Sequence, residues 1–596
     1  MTAEPNREPR SDPAFWSIAI AAGVTAGLAT GVLEAAATVI AKLGFNGAKG
    51  FGLQFWWMAP VAEATVFGLG AVGLAVVLAV VPVRHRWGVL AGALAAGAAL
   101  SMALFANRLD RYACVLLALG LGFRAWQVLR HRPAPDPRRL WRWNAALAGV
   151  VLLGVPVGLV LRPGGGPSGP AGDRPNVLLL VLDTEGADAL HLYGYPRRTS
   201  DALDALAPSA VVFNQAYATA PWTLPSHGSL FTGRHAHELS GGFRTPLDDA
   251  YPTIAEVLRG AGYRTAGFVA NLRFVNREFG LARGFERYDD YPTVPSEVLM
   301  ASSVVRSAVL RPRVRRLLGY HDIIARKRAP AVTASFLSWL KEKDDRPWFA
   351  FLNYWDAHEP YLPEPGDVTR FAAAGPSDYR RADYRLRETI LHQGSRKRMA
   401  PEVRQAERDR YDASVAAVDR SLALLFDELA RRGELDRTIV VVTADHGEEH
   451  GERGEFTHAH SVNPAVLRIP LVIRYPAKVP SGRRIDSTVS LRSVPATVLE
   501  LAGVPAPATM APGLDRYWLD STTPAEPAVS SLFHEGDSSF SVVLGAMQYQ
   551  VFKGVERLFP LAAEGADLVN LVRDPHHAAT VARGRELLDS LLGAVP

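Results

Sequence analysis

The chain has 596 residues, 48% of them hydrophobic and 21% charged, with a formal net charge of +5. That length exceeds a single core, and that composition excludes a disordered or fibrous protein. Residues 1–170 hold 15 Lys and Arg against 7 Asp and Glu, a net of +8 that leaves −3 for the rest, so the basic excess lies outside the polar part of the chain and excludes a nucleic-acid partner.

Five apolar stretches come first, at 15–40, 55–83, 87–106, 111–130 and 143–161. Each is near the length that crosses about 30 Å of hydrocarbon as a helix. They are rich in Gly and Ala, which let membrane helices pack closely. The fourth contains Arg124 and the sole cysteine, Cys114. One thiol excludes an intramolecular disulfide, a Cys-rich zinc site and a dithiol motif. With the N-terminus in the cytoplasm, the inner segments carry nine Lys and Arg and the outer ones five. That asymmetry favours this orientation, and an odd number of spans then puts everything after residue 165 outside the cytoplasm. Glu34 and Glu63 fall within or at the edge of spans. An intramembrane carboxylate is costly and needs a partner: another helix, the catalytic region or a lipid headgroup. The predicted organisation is a transmembrane domain over 1–164, a Gly/Pro linker over 165–175, a catalytic α/β domain over 176–520 and a C-terminal subdomain over 521–596.

After the linker, apolar runs of strand length alternate with helical patterns. NVLLLVL (176–182), TAGFVA, WFAFLNYW, TIVVVT and PLVIRY read as strands buried on both faces. TIAEVLRGAG and RYDASVAAVDRSLALLFDELARRG read as helices, so the predicted fold is α/β with a mostly parallel sheet. Two charged regions, about 295–345 and 365–410, read as helical insertions over that sheet. Polar residues fall where strands end: Asp183 after the first run, Asp356 and His358 after the third, Asp445 and His446 after the fourth. Ligands of open α/β sheets bind outside the carboxyl ends of strands, so three such placements mark a site. Thr223, in TLPSH, begins a short helix, where it is either an ordinary cap or a hydroxyl beside an anion site. Asp445, His446, His450, His458 and His460 crowd into 17 residues. Their oxygen and nitrogen donors suit Zn²⁺ or Mn²⁺, and carboxylate-rich sites also suit Mg²⁺ or Ca²⁺.

NVLLLVLDTEGADALHLYGY, PWTLPSHGSLFTGRH, YPTIAEVLRGAGYRTAGF, FLNYWDAHEPYLP, VVVTADHGEEHGE and HSVNPAVLRIPLVIRYP occur in an order that resembles the sulfatase branch of the alkaline phosphatase superfamily. The resemblance implies that Asp183, Asp445 and His446 bind a divalent metal. It also implies that Thr223 is the nucleophile lying against that metal as a fourth ligand, and that His358 and His458 contact the substrate anion, a second metal or the leaving group. The chain departs from the family at several points. Formylglycine-dependent sulfatases carry C/S-x-P-x-R, where this chain has Thr223 and His227; Thr184 replaces the second aspartate of the opening pair; Ala270, Asn271 and Leu272 stand where Lys and His grip sulfate. A threonine nucleophile resembles lipoteichoic acid synthases and phosphoethanolamine transferases, which also place about five spans before an extracytoplasmic catalytic domain. The expectation is a cell-membrane enzyme that cleaves or transfers a phosphate or sulfate ester of a lipid-linked or envelope-glycan substrate. The alternatives are a sulfuric ester hydrolase with an unusual nucleophile and an inactive envelope scaffold.

Overall fold

The computed structural model describes residues 13–45, 54–106, 109–160, 174–243, 245–290, 295–309, 311, 314, 317, 326–363, 365–371, 400–534, 537–563 and 568–593. Most of the predicted linker and much of the second charged insertion (372–399) lie outside the described residues. The chain divides into two compact units, one of Met1–Gly164 with Pro292–Tyr320 and one of Gly165–Tyr291 with His321–Pro596.

The first unit is helical: α1 (Pro13–Phe45), α2 (Phe55–Val80), α3 (Arg86–Ala106), α4 (Arg111–Leu129) and α5 (Pro137–Val160). Small residues set the packing. A Cβ on Gly27 of α1 would lie 2.3 Å from the Glu63 carbonyl oxygen of α2, and one on Gly92 of α3 would lie 2.9 Å from the Gly122 carbonyl oxygen of α4. Among the described residues, α1 to α4 are long and apolar enough to cross a membrane. The fifth apolar stretch does form a helix, but α5 opens on Arg138, Arg139 and Arg142 and is not among those four.

The second unit is built on a nine-stranded mixed sheet. Its strands are β1 (Asn176–Leu182), β2 (Val211–Tyr217), β3 (Arg264–Val269), β4 (Arg287–Asp289), β5 (Trp348–Tyr354), β6 (Thr438–Thr443), β9 (Arg468–Ile469), β10 (Leu471–Arg474) and β11 (Arg483–Ser490), with a small hairpin of β7 (Glu449–His450) and β8 (Phe456–Thr457) beside it. The path runs β11-β2-β10-β6-β1-β5-β3-β4, and β9 pairs with β2. Pairings are parallel except those of β10 and β9. The run NVLLLVL is central because its Val and Leu side chains are at most 1% exposed, and each contributes about 1.5–3 kcal/mol of burial. Short helices α6 (Asp201–Leu206), α7 (Thr223–Thr232) and α8 (Ile254–Gly260) and a long one, Pro401–Arg431, connect the strands. Of the first charged insertion, helices α9 (Pro295–Met300) and α10 (Ser303–Val309) belong to the first unit instead of covering this sheet.

The C-terminal part forms an antiparallel sheet of β12 (Ala528–His534), β13 (Asp537–Leu544), β14 (Met547–Phe552) and β15 (Val555–Pro560). Val581 and Leu588 of the helix Ala578–Leu592 share one core with Phe540, Tyr549 and Leu558.

Candidate functional site

The sheet order explains how residues distant in sequence converge. β1 lies between β5 and β6, all three parallel, so their carboxyl ends deliver Asp183, His358 and the pair Asp445–His446 to one edge. Ligand atoms of Asp183, Asp445 and His446 lie within 4.8 Å of one another, all fully buried. Thr223, the first residue of α7, is also fully buried, and its Oγ1 lies 3.5 Å from His446 Nε2.

Each ligand group has one atom engaged and one left over. Asp183 Oδ2 accepts from Asn271 Nδ2 at 2.9 Å and Asn353 Nδ2 at 3.3 Å. Asp445 Oδ1 accepts from the backbone N–H of Thr184 at 3.2 Å and of His446 at 2.9 Å. Asp183 Oδ1 and Asp445 Oδ2 stay buried without a hydrogen-bond partner. The His446 Nδ1–H donates to the Gly447 carbonyl at 3.0 Å, which leaves the Nε2 lone pair facing Thr223 Oγ1. Burial pushes the Asp183 and Asp445 carboxyls up, the Asn271 and Asn353 amides working against it for Asp183, and it holds the His446 imidazole well down. Two bare carboxylate oxygens and one neutral imidazole nitrogen, dry and converging, fit a divalent cation.

The backbone around these groups is under tension. Thr184, in the position of the family's second aspartate, takes φ 64° and carries its N–H to Asp445; Thr457 and Ala459, at φ 67° and 64°, flank His458. A non-glycine residue held there costs about 1–3 kcal/mol, and such strain gathers at functional sites.

His358 and His458 join the cluster through their rings: His458 is 4.6 Å from His446 and 4.8 Å from His358 between centroids. The Nδ1–H groups are spoken for, that of His358 by the Glu359 carbonyl and that of His458 by Glu448 Oε1, both at 2.8 Å. In each ring Nε2 is thus the nitrogen that the Nδ1 contact does not use. His227, where the sulfatase motif has Arg, donates Nδ1–H to the Thr223 carbonyl at 2.8 Å; burial lowers its imidazole to about 4, and its Nε2 is buried without a partner. Trp222 stacks on Phe243 at 3.8 Å, meets Phe274 edge-on and lies 5.8 Å from His458.

Other residues of the sequence pattern go elsewhere. Asp356 Oδ2 accepts the Ala329 N–H at 2.8 Å, holding the start of a helix. His450 packs between Tyr361 and Tyr411, and His460 is exposed. The sequence reading missed that Asn271 and Asn353 orient Asp183, and that Glu448 orients His458. Asn353 carried a signal, as the one polar residue inside WFAFLNYW.

The family model for sulfatases matches residues 175–504, more than half of the chain. The steryl-sulfatase of Mus musculus is 25% identical over 467 residues, covering 63% of this chain and 68% of its own. The choline-sulfatase of Rhizobium meliloti is 25% identical over 67% of this chain and 83% of its own. Among solved structures, a phosphonate monoester hydrolase of Agrobacterium radiobacter superposes with a TM-score of 0.55 at 22% identity, over 70% of this chain and 96% of that one; this likeness establishes the fold.

Proposed function

The chain belongs to the sulfatase family, and from that premise we propose that it cleaves or transfers a phosphate ester through Thr223, at a metal-dependent site held outside the cytoplasm by its own membrane domain. The observation that carries this reading is the buried Thr223 hydroxyl, 3.5 Å from His446 Nε2 and beside the Asp183, Asp445 and His446 donor set.

A divalent cation on Asp183, Asp445 and His446 would neutralise charge on the transferring group and lower the pKa of the Thr223 hydroxyl. Thr223 Oγ then forms a bond to phosphorus as the bond to the leaving oxygen breaks, giving a phosphothreonine. The Thr223 hydroxyl proton passes to Nε2 of His358 or His458, which hands it on to the leaving oxygen. Water or an acceptor alcohol next attacks the phosphothreonine, the same nitrogen removes its proton and returns it to Thr223 Oγ as the phosphorus–Oγ bond breaks, and Thr223 is regenerated. The membrane helices and the Trp222–Phe243–Phe274 wall favour a lipid-linked or envelope-glycan ester as substrate.

The test is intact-mass analysis of the full-length protein in detergent, incubated with aryl phosphate mono- and diesters and aryl sulfate in the presence of Zn²⁺, Mn²⁺, Mg²⁺ or Ca²⁺. A phosphoryl adduct that vanishes in Thr223→Ala supports the reading. The sulfatase names of the curated relatives support a second one, sulfuric ester hydrolysis at the same residue; turnover of sulfate alone would establish that and overturn the first.

A further inference from the structure

The helical unit contains a polar cluster that the proposed chemistry does not use. Glu34 of α1, Glu63 of α2 and Ser101 of α3 are all fully buried. Ser101 Oγ lies 2.7 Å from Glu34 Oε1 and 2.8 Å from Glu63 Oε1. Glu63 Oε1 also accepts the backbone N–H of Ser303, the first residue of α10, at 3.2 Å. Arg306 of α10 donates to Ser303 Oγ at 3.2 Å and is attracted to both carboxyls. Glu34 Oε2 and Glu63 Oε2 are buried with no hydrogen-bond partner. Among the described residues, Glu34, Glu63 and Arg306 are the ionisable groups brought together here from α1, α2, α3 and α10.

A serine hydroxyl has one proton to donate. With both carboxyls ionised, one of the two short contacts to Ser101 would set lone pair against lone pair in a dry interior. One added proton turns it into a hydrogen bond. Ser303 meets both carboxyls, through a fixed backbone N–H at Glu63 Oε1 and through its rotatable hydroxyl at Glu34; a neutral carboxyl still accepts from that hydroxyl, so the proton belongs on Glu34, whose O–H donates to Ser101, whose O–H donates to Glu63. The unpaired Glu34 Oε2 is then a neutral carbonyl oxygen, far cheaper to bury than a carboxylate oxygen.

We propose that Glu34, Ser101 and Glu63 form a one-proton site, and that the bound proton fastens α10, in the insertion between β4 and β5, to α1–α3. Losing the proton puts two like charges around Ser101, which the single Arg306 cation offsets only in part, and so weakens the hold on Ser303.

The experiment uses the full-length protein in detergent micelles. Hydrogen exchange of the α10 amides, corrected for intrinsic base catalysis, is followed against pH in wild type and in Glu34→Gln, whose amide N–H₂ replaces the carboxyl O–H. The open population of α10 should rise by up to about tenfold per pH unit as pH climbs from the ordinary carboxyl range toward the point where closed α10 gives up the Glu34 proton, level off beyond it, and stay flat in Glu34→Gln. Infrared spectra of the wild type should show a protonated carboxyl band at neutral pH that shifts in Ser101→Ala. Exchange independent of pH in the wild type, or no such band, would overturn the proposal.

Discussion

Asn271 stands where sulfate-gripping residues are usual in the family, and here its side chain is given to Asp183 Oδ2 at 2.9 Å. With Asn353 it fixes the carboxylate so that Oδ1 faces the site. Groups that orient a metal ligand in this way matter to the ligand's affinity, commonly by about 10–100-fold. Asn271→Ala should therefore weaken metal binding by about that factor, read by competition with a chelator, while the β3–β5 pairing, which ends at Val269, stays intact. Unchanged affinity would show that Asn353 alone holds Asp183. Thr223→Ala makes the complementary case. It should retain the metal and lose turnover by about 10³-fold or more, the scale on which removal of a nucleophile is felt. His227 shows why single residues mislead in sequence. Read as a degenerate Arg of the sulfatase motif, it is a neutral buried imidazole bonded to the backbone of Thr223, the proposed nucleophile.

At the scale of elements, the loop after β6 works because Gly447 has no side chain. Its N–H donates to the Val466 carbonyl at 2.9 Å, and a Cβ would lie 2.1 Å from the Ala465 carbonyl oxygen. Both close atoms are backbone, so Gly447→Ala must push the 445–447 turn away from 464–466. The expected result is loss of metal binding with a lowered thermal midpoint; a normal midpoint with normal metal affinity would mean that the turn can relax. The long helix Pro401–Arg431 contributes differently. Asp419 accepts the backbone N–H groups of Ala202 at 2.8 Å and Leu203 at 3.3 Å, at the start of α6, and burial pushes its carboxyl up to about 7. The folded chain thus holds a proton that the unfolded chain releases. This contribution is complete below about pH 4 and is lost as pH rises toward about 7, with a slope of at most about 1.4 kcal/mol per unit. Asp419→Asn should flatten the thermal midpoint over that window relative to wild type, and an equal slope in both would refute the assignment. The strands were legible as elements because each is an unbroken apolar run, and Asp183, Asp445 and His446 because they end such runs. That β1 lies between β5 and β6 was not legible, since pairing is set by packing between segments more than a hundred residues apart. Nor did periodicity reveal that α9 and α10, inserted within the family-matched region, pack with the helices that precede it.

At the scale of the molecule, the proposed membrane anchoring puts the sulfatase-family unit on a side that depends on whether α5 crosses. With the N-terminus inside, four crossings return the chain to the cytoplasm and five leave it outside. Charge alone does not decide, because α5 opens on Arg138, Arg139 and Arg142. Those arginines sit instead where a helix entering the bilayer from a positively charged face has its anchors. Trp141 and Trp143 beside them are 47% and 64% exposed, and Leu152 and Leu153 farther along are 68% and 74% exposed. An outward aromatic pair followed by outward leucines fits a headgroup level and then hydrocarbon. Five crossings and an extracytoplasmic catalytic unit follow from that reading. The chain suits a direct measurement, because its single cysteine, Cys114, is buried. Ser481, exposed in the turn before β11, can be replaced as Ser481→Cys to give one accessible thiol. In sealed right-side-out vesicles a membrane-impermeant maleimide should modify Ser481→Cys fully and leave the wild type unmodified. Modification that requires detergent would place the unit in the cytoplasm, reduce the crossings to four and remove envelope substrates from consideration.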